Sequence, residues 1–346
     1  MTLLWLDGFD IYGTSNGSAP SPTGVVSRIT SAISGESSID TEAGRINGNS
    51  LEFNGDSVGI LVMPASMTTN VTMIAGCAVY LGESFDVVNG VNTDLITFNE
   101  GTNRSFSVRV LGNCLAVYRG TTFLEACYNR VKLKSGSWFY LEMKTKCSNT
   151  VGQYEVRVNG IPVIGPSSAN IDTQNSTQGY YDRVRFAPPD LCRIDDAYVC
   201  DAAGTTNNDF LGPIEVHTLT PTSDVRNTMF GGGFGSVDEA VCDDATTYAT
   251  YAGAPPGPYY FEMGFPDTNN YATIVGVKCT GTVSSDSNMT FRISANSSGN
   301  LAYTGNTSWN SATWTTKYGV FQTEPGTSNA WTPNTVNAAA FGMETV

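Results

Sequence analysis

A single histidine, His217, stands in a chain of 346 residues. A serine or cysteine hydrolase needs a base held beside its nucleophile, so that chemistry narrows to one candidate in the strand-like run Ile214 to Leu219, where a structural or surface histidine is the commoner role. Basic residues are also scarce, 18 against 32 acidic, and a net charge of -14 repels nucleic-acid phosphates and anionic membranes. Both are set aside as partners. No apolar run approaches the ~20 residues of a membrane helix. Met1 to Tyr12 has no basic start, and Asp7 and Asp10 interrupt its apolar residues, so it does not read as a signal peptide. The expectation is a soluble chain made in a cytoplasm. Cys-x-x-Cys pairs are missing, which rejects a zinc ribbon or a thioredoxin-like site. Gly231-Gly232-Gly233-Phe234-Gly235 is followed by neither the lysine nor the helix of a phosphate cradle and reads as a flexible loop.

Charged residues are only 14% of the chain, while hydrophobic residues reach 40%, enough to bury a core. Recurring Gly, Ser, Thr and Asn fit short strands joined by many turns, and the periodicity agrees. Leu51 and Phe53 alternate with Glu52 and Asn54 before a turn at Asn54-Gly55. Phe106, Val108 and Val110 alternate with Ser105, Ser107 and Arg109. Tyr154, Val156 and Val158 alternate with Glu155 and Arg157 before Asn159-Gly160, the strongest hairpin signal present. Further strands are expected at Thr2 to Asp10, Trp138 to Lys144, Ile194 to Val199, Ile214 to Leu219, Tyr259 to Met263, Ile274 to Cys279, Met289 to Ile293 and Phe341 to Val346. Polar loops are expected from Gly13 to Gly24 and from Val237 to Tyr251. One short helix is expected at Thr335 to Ala340, capped by Asn334. The polar stretch Asp201 to Asp209 marks a domain boundary, giving residues 1–204 and 205–346. The fold class is all-β, a β-sandwich followed by a second, smaller β-rich module.

Eight cysteines are scattered along the chain. Cys77 continues the alternation Val71, Met73, Ala75, Cys77, Val79 and reads as a small buried hydrophobe. Others are candidates for disulfides formed once the chain leaves a reducing cytosol: Cys114, Cys127, Cys192 and Cys200, with Cys114 and Cys127 the foremost pair because each sits near a strand of one short meander. Connectivity stays open at this level. Seven Asn-X-Ser/Thr triplets occur, at Asn16, Asn70, Asn103, Asn175, Asn288, Asn296 and Asn306, as chance produces in so Asn-, Ser- and Thr-rich a chain.

The opening Leu3-Leu4-Trp5-Leu6-Asp7-Gly8-Phe9-Asp10-Ile11-Tyr12 is followed by Ser137-Trp138-Phe139-Tyr140-Leu141-Glu142-Met143-Lys144, Tyr154-Glu155-Val156-Arg157-Val158-Asn159-Gly160 and Arg193-Ile194-Asp195-Asp196-Ala197-Tyr198-Val199. In this order and spacing they resemble tailed-bacteriophage virion proteins with a laminin-G-like, concanavalin A-like jelly roll. Phe210 to Pro213, Thr218 to Pro221, Trp331 to Pro333 and Phe341-Gly342 resemble the second module of the same proteins. The resemblance implies a non-enzymatic structural protein, in a capsid-decoration, minor-capsid, neck, collar, tail or fibre position. It would be made in a bacterial cytoplasm, carried in the virion, self-associating and in contact with other virion proteins. The alternative is an adhesin that recognises a host-surface glycan.

Three site chemistries are weighed against this reading. Laminin-G-like domains can hold calcium, for which Asp7, Asp10, Asp195, Asp196 and Asp201 are candidates; satisfying backbone amides is the preferred role, and no cofactor is assigned. A glycosidase would need two carboxylates about 5 to 9 Å apart, from Asp195 and Asp196 or Glu142 and Glu155. Adjacent aspartates on one strand are expected to point to opposite faces, a poor acid/base pair. Tyr180, Tyr181, Tyr259, Tyr260, Trp309, Trp314 and Trp331 are candidates for stacking on sugars, though most tryptophans of a sandwich lie in its core.

Overall fold

The computed structural model describes residues 3–12, 39–46, 48–53, 59–62, 71–85, 93–128, 130–168, 170–228, 230–240, 247–251, 258–268, 273–309, 312 and 314–346. The turn expected at Asn54-Gly55 and the loop Gly13 to Gly24 lie outside them. Two compact units divide the chain: residues 1–10 with 14–216, and residues 11–13 with 217–346. Among the described residues no helix is long and apolar enough to cross a membrane.

The first unit runs β1 (Leu3–Asp7), β2 (Ile39–Ala43), β3 (Asn49–Phe53), β4 (Ile60–Val62), β5 (Thr72–Leu81), β6 (Thr93–Glu100), β7 (Asn103–Leu111), β8 (Cys114–Arg119), β9 (Thr122–Ala126), β10 (Ser137–Lys146), β11 (Gln153–Val158), β12 (Ile161–Ile164), β13 (Arg183–Phe186) and β14 (Cys192–Asp201). These form two antiparallel sheets. One has the order β12-β11-β10-β5-β14-β3-β2, with β1 also on β14; the other has the order β4-β13-β6-β7-β8-β9. The alternation read from sequence sets their facing. Met73, Ala75, Cys77 and Val79 of β5 are buried with Phe139, Leu141 and Met143 of β10, and Phe98, Phe106 and Val108 are buried on the other sheet. Aromatic rings join the layers: Trp5 of β1 lies 6.1 Å from Phe186 of β13, and Tyr154 of β11 lies 5.4 Å from Phe106 of β7. The fold is a β-sandwich of the jelly-roll type.

Asn159 and Gly160 form the turn between β11 and β12, with φ of 52° and 78° and Val158 opposite Ile161. Positive φ at both central residues matches the right-handed twist of the flanking strands, and Asn-Gly adopts it at little cost. The chain does not leave the sandwich at residue 204. The Gly212 amide donates to Glu142 and the Val216 amide to Asp196, while the Arg157 guanidinium stacks 4.0 Å over the Phe210 ring. Ile214 to Leu219 is no strand; the Ile214 carbonyl and the Val216 amide bond to side chains of the sandwich instead of to a sheet edge.

The second unit contains β15 (Ser223–Asn227), β16 (Phe230–Gly231), β17 (Thr250–Tyr251), β18 (Tyr259–Gly264), β19 (Val277–Val283), β20 (Met289–Ser297), β21 (Asn300–Tyr303), β22 (Thr307–Trp309), β23 (Thr315–Phe321), α1 (Pro333–Asn337) and β24 (Ala340–Thr345). A sheet ordered β15-β18-β24-β20-β21, with β22 also on β20, accompanies the pairs β16-β17 and β19-β23. Phe291, Ile293, Ala295, Phe321, Trp331 and Phe341 form its core. The helix is capped by Thr332, not Asn334: the Thr332 and Thr335 side chains each bond the other's backbone amide, and Pro333 occupies the first turn, where its missing N–H is not needed.

Trp5 is 1% exposed and joins both sheets. Trp5→Ala is expected to lower the stability of the first unit by about 3–5 kcal/mol, the range for a large buried aromatic, read as a lower urea midpoint at unchanged slope.

Candidate functional site

Strand β14 pairs with β5 along one edge. Along the other, Cys192, Arg193 and Ile194 pair with β3, whereas Ala197 to Cys200 pair with β1. Asp195 and Asp196 fall in the gap, at a register shift against β5 that lies between Asp195 and Tyr198. Asp196 has φ of 49°. A bulge breaks the period-two alternation, so the expectation that the two carboxylates face apart is wrong: both turn toward Arg45. The Arg45 amide donates to Asp195 Oδ2 at 2.7 Å, and its guanidinium pairs with Asp196 Oδ2 at 2.8 Å and donates to the Ile214 carbonyl at 2.6 Å. Asp195 Oδ1 accepts the Asp196 amide, Asp196 Oδ1 accepts the Val216 amide, and the Tyr140 hydroxyl donates to the Asp196 carbonyl.

The other acidic candidates are engaged in the same way. Asp7 accepts the Phe9 amide, Asp10 the Asn49 amide and Asp201 the Ala203 amide. Gly48 is required beside Asp10, because a Cβ there would lie 1.8 Å from Asp10 Oδ1, and its φ is +70°. Oxygen ligands for a hard cation must converge without a competing cation; here Arg45 supplies the positive charge at Asp196. Among the described residues no group of three or more His, Cys, Asp or Glu side chains is placed to hold a metal ion.

Glu142 and Glu155 do not flank a shared groove as free carboxylates. Glu142 Oε1 accepts the Tyr198 hydroxyl at 2.6 Å and the Gly212 amide at 2.8 Å, and Glu155 pairs with Arg157 at 2.7 Å. Tyr198 reaches Glu142 across Gly76, where a Cβ would lie 2.4 Å from the Tyr198 ring. Burial holds the Glu142 carboxyl above its usual range against the opposing hydroxyl and amide bonds. Burial, then the neighbouring Asp196 charge, pushes Asp195 to about 8.

A second polar array lies on the β4-β13-β6-β7-β8-β9 sheet, opposite its apolar face. Cross-strand register places Arg185, Thr97, Ser107 and Tyr118 in one row, and Asp94 opposite Arg109. The Arg109 guanidinium stacks 4.2 Å over the Tyr118 ring, pairs with Asp94 at 2.7 Å and donates to Ser107 and to the Gly120 carbonyl. Ser105, Ser107, Thr97, Asp94 and Arg109 are all buried, which alternation alone, reading them as a solvent face, does not reveal. Among the described residues Thr97 Oγ1 and Asn99 Oδ1 have no hydrogen-bond partner.

Of the aromatic candidates, Tyr181 is fully buried and Trp331 is core, its indole donating to the Phe321 carbonyl. Tyr260 lies under Arg226 at 3.3 Å and Trp309 under Lys317 at 4.2 Å. Cys192 and Cys200, at opposite ends of β14, stand roughly 26 Å apart at strand rise and cannot bridge each other. The described cysteines carry free thiols.

No protein-family model and no curated protein matches the chain. Among solved structures it is similar to domain 4 of AbnA, a GH43 extracellular arabinanase from Geobacillus stearothermophilus, at 16% identity over 57% of this chain and 92% of that one, TM-score 0.36. It is similar to alginate lyase vAL-1 from Chlorella virus at 14% identity over 49% and 92%, TM-score 0.35. The botulinum neurotoxin type G receptor binding domain follows at 12% identity over 58% and 47%, TM-score 0.33. At such values the likeness bears on neither substrate nor activity.

Arg45→Ala strands the Asp196 carboxylate in a buried site and is expected to cost about 3–5 kcal/mol, measured by equilibrium denaturation. A carboxyl raised in the folded state contributes stability that is fully present below the unfolded pKa near 4 and is lost as pH rises through about 8. Asp195→Asn is therefore expected to flatten the fall of the melting temperature between pH 4 and 8; an unchanged slope contradicts the assignment.

Proposed function

We propose that the chain is a non-enzymatic structural component of a tailed-bacteriophage particle, contributing sandwich faces and edges to contacts with its own copies and with other virion proteins. The observation that carries this reading is the placement of the four segments behind the virion resemblance. Leu3 to Asp7, Ser137 to Lys144, Tyr154 to Val158 and Arg193 to Val199 are β1, β10, β11 and β14, all strands of one sheet. Segments distant in sequence thus form one structural unit. A mechanical role also suits the internal use of charge, with carboxylates committed to amides and arginines inside the sandwich. A charged fraction of only 14% over the whole chain suits close packing between copies.

Particles purified on a density gradient from lysates containing the chain are expected to carry it at a fixed ratio to the major shell protein, quantified by peptide mass spectrometry. Particles free of it, with the chain left at the top of the gradient, would overturn the reading.

The polar row in which Thr97 Oγ1, unsatisfied among the described residues, stands opposite Ser107, and Ser107 opposite the arginine-stacked Tyr118, favours a second reading, recognition of a host-surface glycan. Hydroxyl-rich ligands bind where polar side chains lie unsatisfied beside an aromatic ring. Thr97→Val separates the two: a glycan site predicts at least a tenfold loss of affinity on an array of bacterial-surface polysaccharides with folding retained. An internal structural role predicts no array signal from either protein and unchanged or higher stability, because an unpaired buried hydroxyl is removed.

A further inference from the structure

Strand β9 is the edge of its sheet, and its residues are exposed or half-buried, whereas those of its partner β8 are largely buried. Its pairing is interrupted by a register shift between Val117 and Tyr118. An edge strand held by one neighbour, through an irregular ladder, is the part of a sheet that opens first. The hairpin nevertheless closes at its open end through sulfur. The Cys127 amide donates to the Leu115 carbonyl at 2.9 Å, and the Leu115 amide donates back to Cys127 Sγ at 3.0 Å, a thiol standing where a carbonyl would continue the ladder. Leu115 N is covalently joined to the carbonyl carbon of Cys114. Cys114 Sγ donates to the Leu111 carbonyl at 3.2 Å at the same end of the hairpin. Both residues are nearly inaccessible, at 5% and 1% exposure, and the Cys127 thiol is the hydrogen-bonding neighbour of the Cys114 thiol.

We propose that Cys114 and Cys127 are a disulfide site, and that their oxidation staples edge strand β9 to β8 once the chain leaves a reducing cytosol. The Cys114 and Cys127 thiols already meet through a side-chain hydrogen bond, so the S–S bond of about 2.05 Å requires only that this contact close further. With a glutathione disulfide as oxidant, one protein thiolate attacks a glutathione sulfur and releases a first glutathione thiolate. The second protein thiolate then attacks the protein-bound sulfur and releases another. Two protein thiols and one glutathione disulfide become one protein disulfide and two glutathione thiols, with the two protons taken up by the released thiolates. Burial, followed by the neighbouring Cys127, pushes the Cys114 pKa up to about 11, so the reactive thiolate is rare while the hairpin is closed and oxidation proceeds through local opening of the edge. The structure thus separates the four cysteines flagged by sequence. Cys114 and Cys127 share one hairpin end, and Cys192 and Cys200 cannot join each other.

Trypsin cleavage after Arg109, Arg119 and Arg130 places Cys114 in Val110–Arg119 and Cys127 in Gly120–Arg130, two peptides that stay together only through a disulfide. The full chain is incubated with oxidised glutathione, blocked with N-ethylmaleimide and digested without reductant. The linked pair is expected, two hydrogens lighter than the summed peptides and separated by dithiothreitol. The oxidised chain is expected to melt about 5 °C above the reduced one, with slower amide exchange in β9. Cys127→Ser is expected to abolish both gains, and Cys192→Ser to leave both in place. Recovery of Cys114 and Cys127 as separate maleimide adducts after oxidation, or of Cys114 joined to another cysteine, overturns the proposal. The peptide readout on the unsubstituted chain does not depend on whether a variant folds, nor on whether the chain belongs to a particle.

Discussion

The gap in the pairing of β14 is the constraint on which the first unit depends. A strand that changes partner from β3 to β1 midway must leave some backbone without a ladder, and buried amides without acceptors are costly. Asp195 and Asp196 fill the gap. Their side chains take up the amides of Arg45, Asp196 and Val216, and Arg45 neutralises the charge so gathered. The same contacts tie down residues 214 and 216, far away in sequence. Aspartates that look like ligands or acid/base groups in the linear chain thereby become the joints of a sheet.

The second unit uses related chemistry on a simpler scaffold. Arg226 forks onto Glu262 and Arg292 onto Glu344, in both cases with two nitrogen–oxygen bonds, and each guanidinium lies over a tyrosine ring, Tyr260 or Tyr303. Glu262 and Glu344 are almost fully buried. Two-bond arginine–carboxylate geometry fixes orientation as well as energy, and stacking on an aromatic face lowers the cost of removing the guanidinium from water. A chain with few charges has placed many of them where they hold strands in register.

Much of the fold was legible because it follows from alternation. The facing of β5, β7 and β11 comes from period-two patterns, and the Asn159-Gly160 turn from the positive φ that Asn and Gly tolerate. The site was less legible, since its geometry arises where alternation fails. A bulge cannot be seen in Ile194-Asp195-Asp196-Ala197 without knowing that two strands share one edge of β14. Arg45, 150 positions away, gives no local signal of its role. Thr332 as the helix cap is open to sequence, since Thr followed three residues later by Thr335, with Pro333 between, fits a reciprocal cap; Asn334 is a capping residue by type but stands inside the first turn. Burial of the Ser105, Ser107 and Arg109 face was hidden for a different reason: alternation tells which residues share a face, not whether that face meets water.

Arg45 and Asp196 act as one buried unit, and a double-mutant cycle tests this most directly. Equilibrium denaturation of the parent, Arg45→Met, Asp196→Asn and the double variant should give a double-variant loss well below the sum of the single losses, by about 1–3 kcal/mol, as for groups sharing one network. Losses that add to within about 0.5 kcal/mol would contradict it, and would return the carboxylates of β14 to the pool of groups available for ligand or metal.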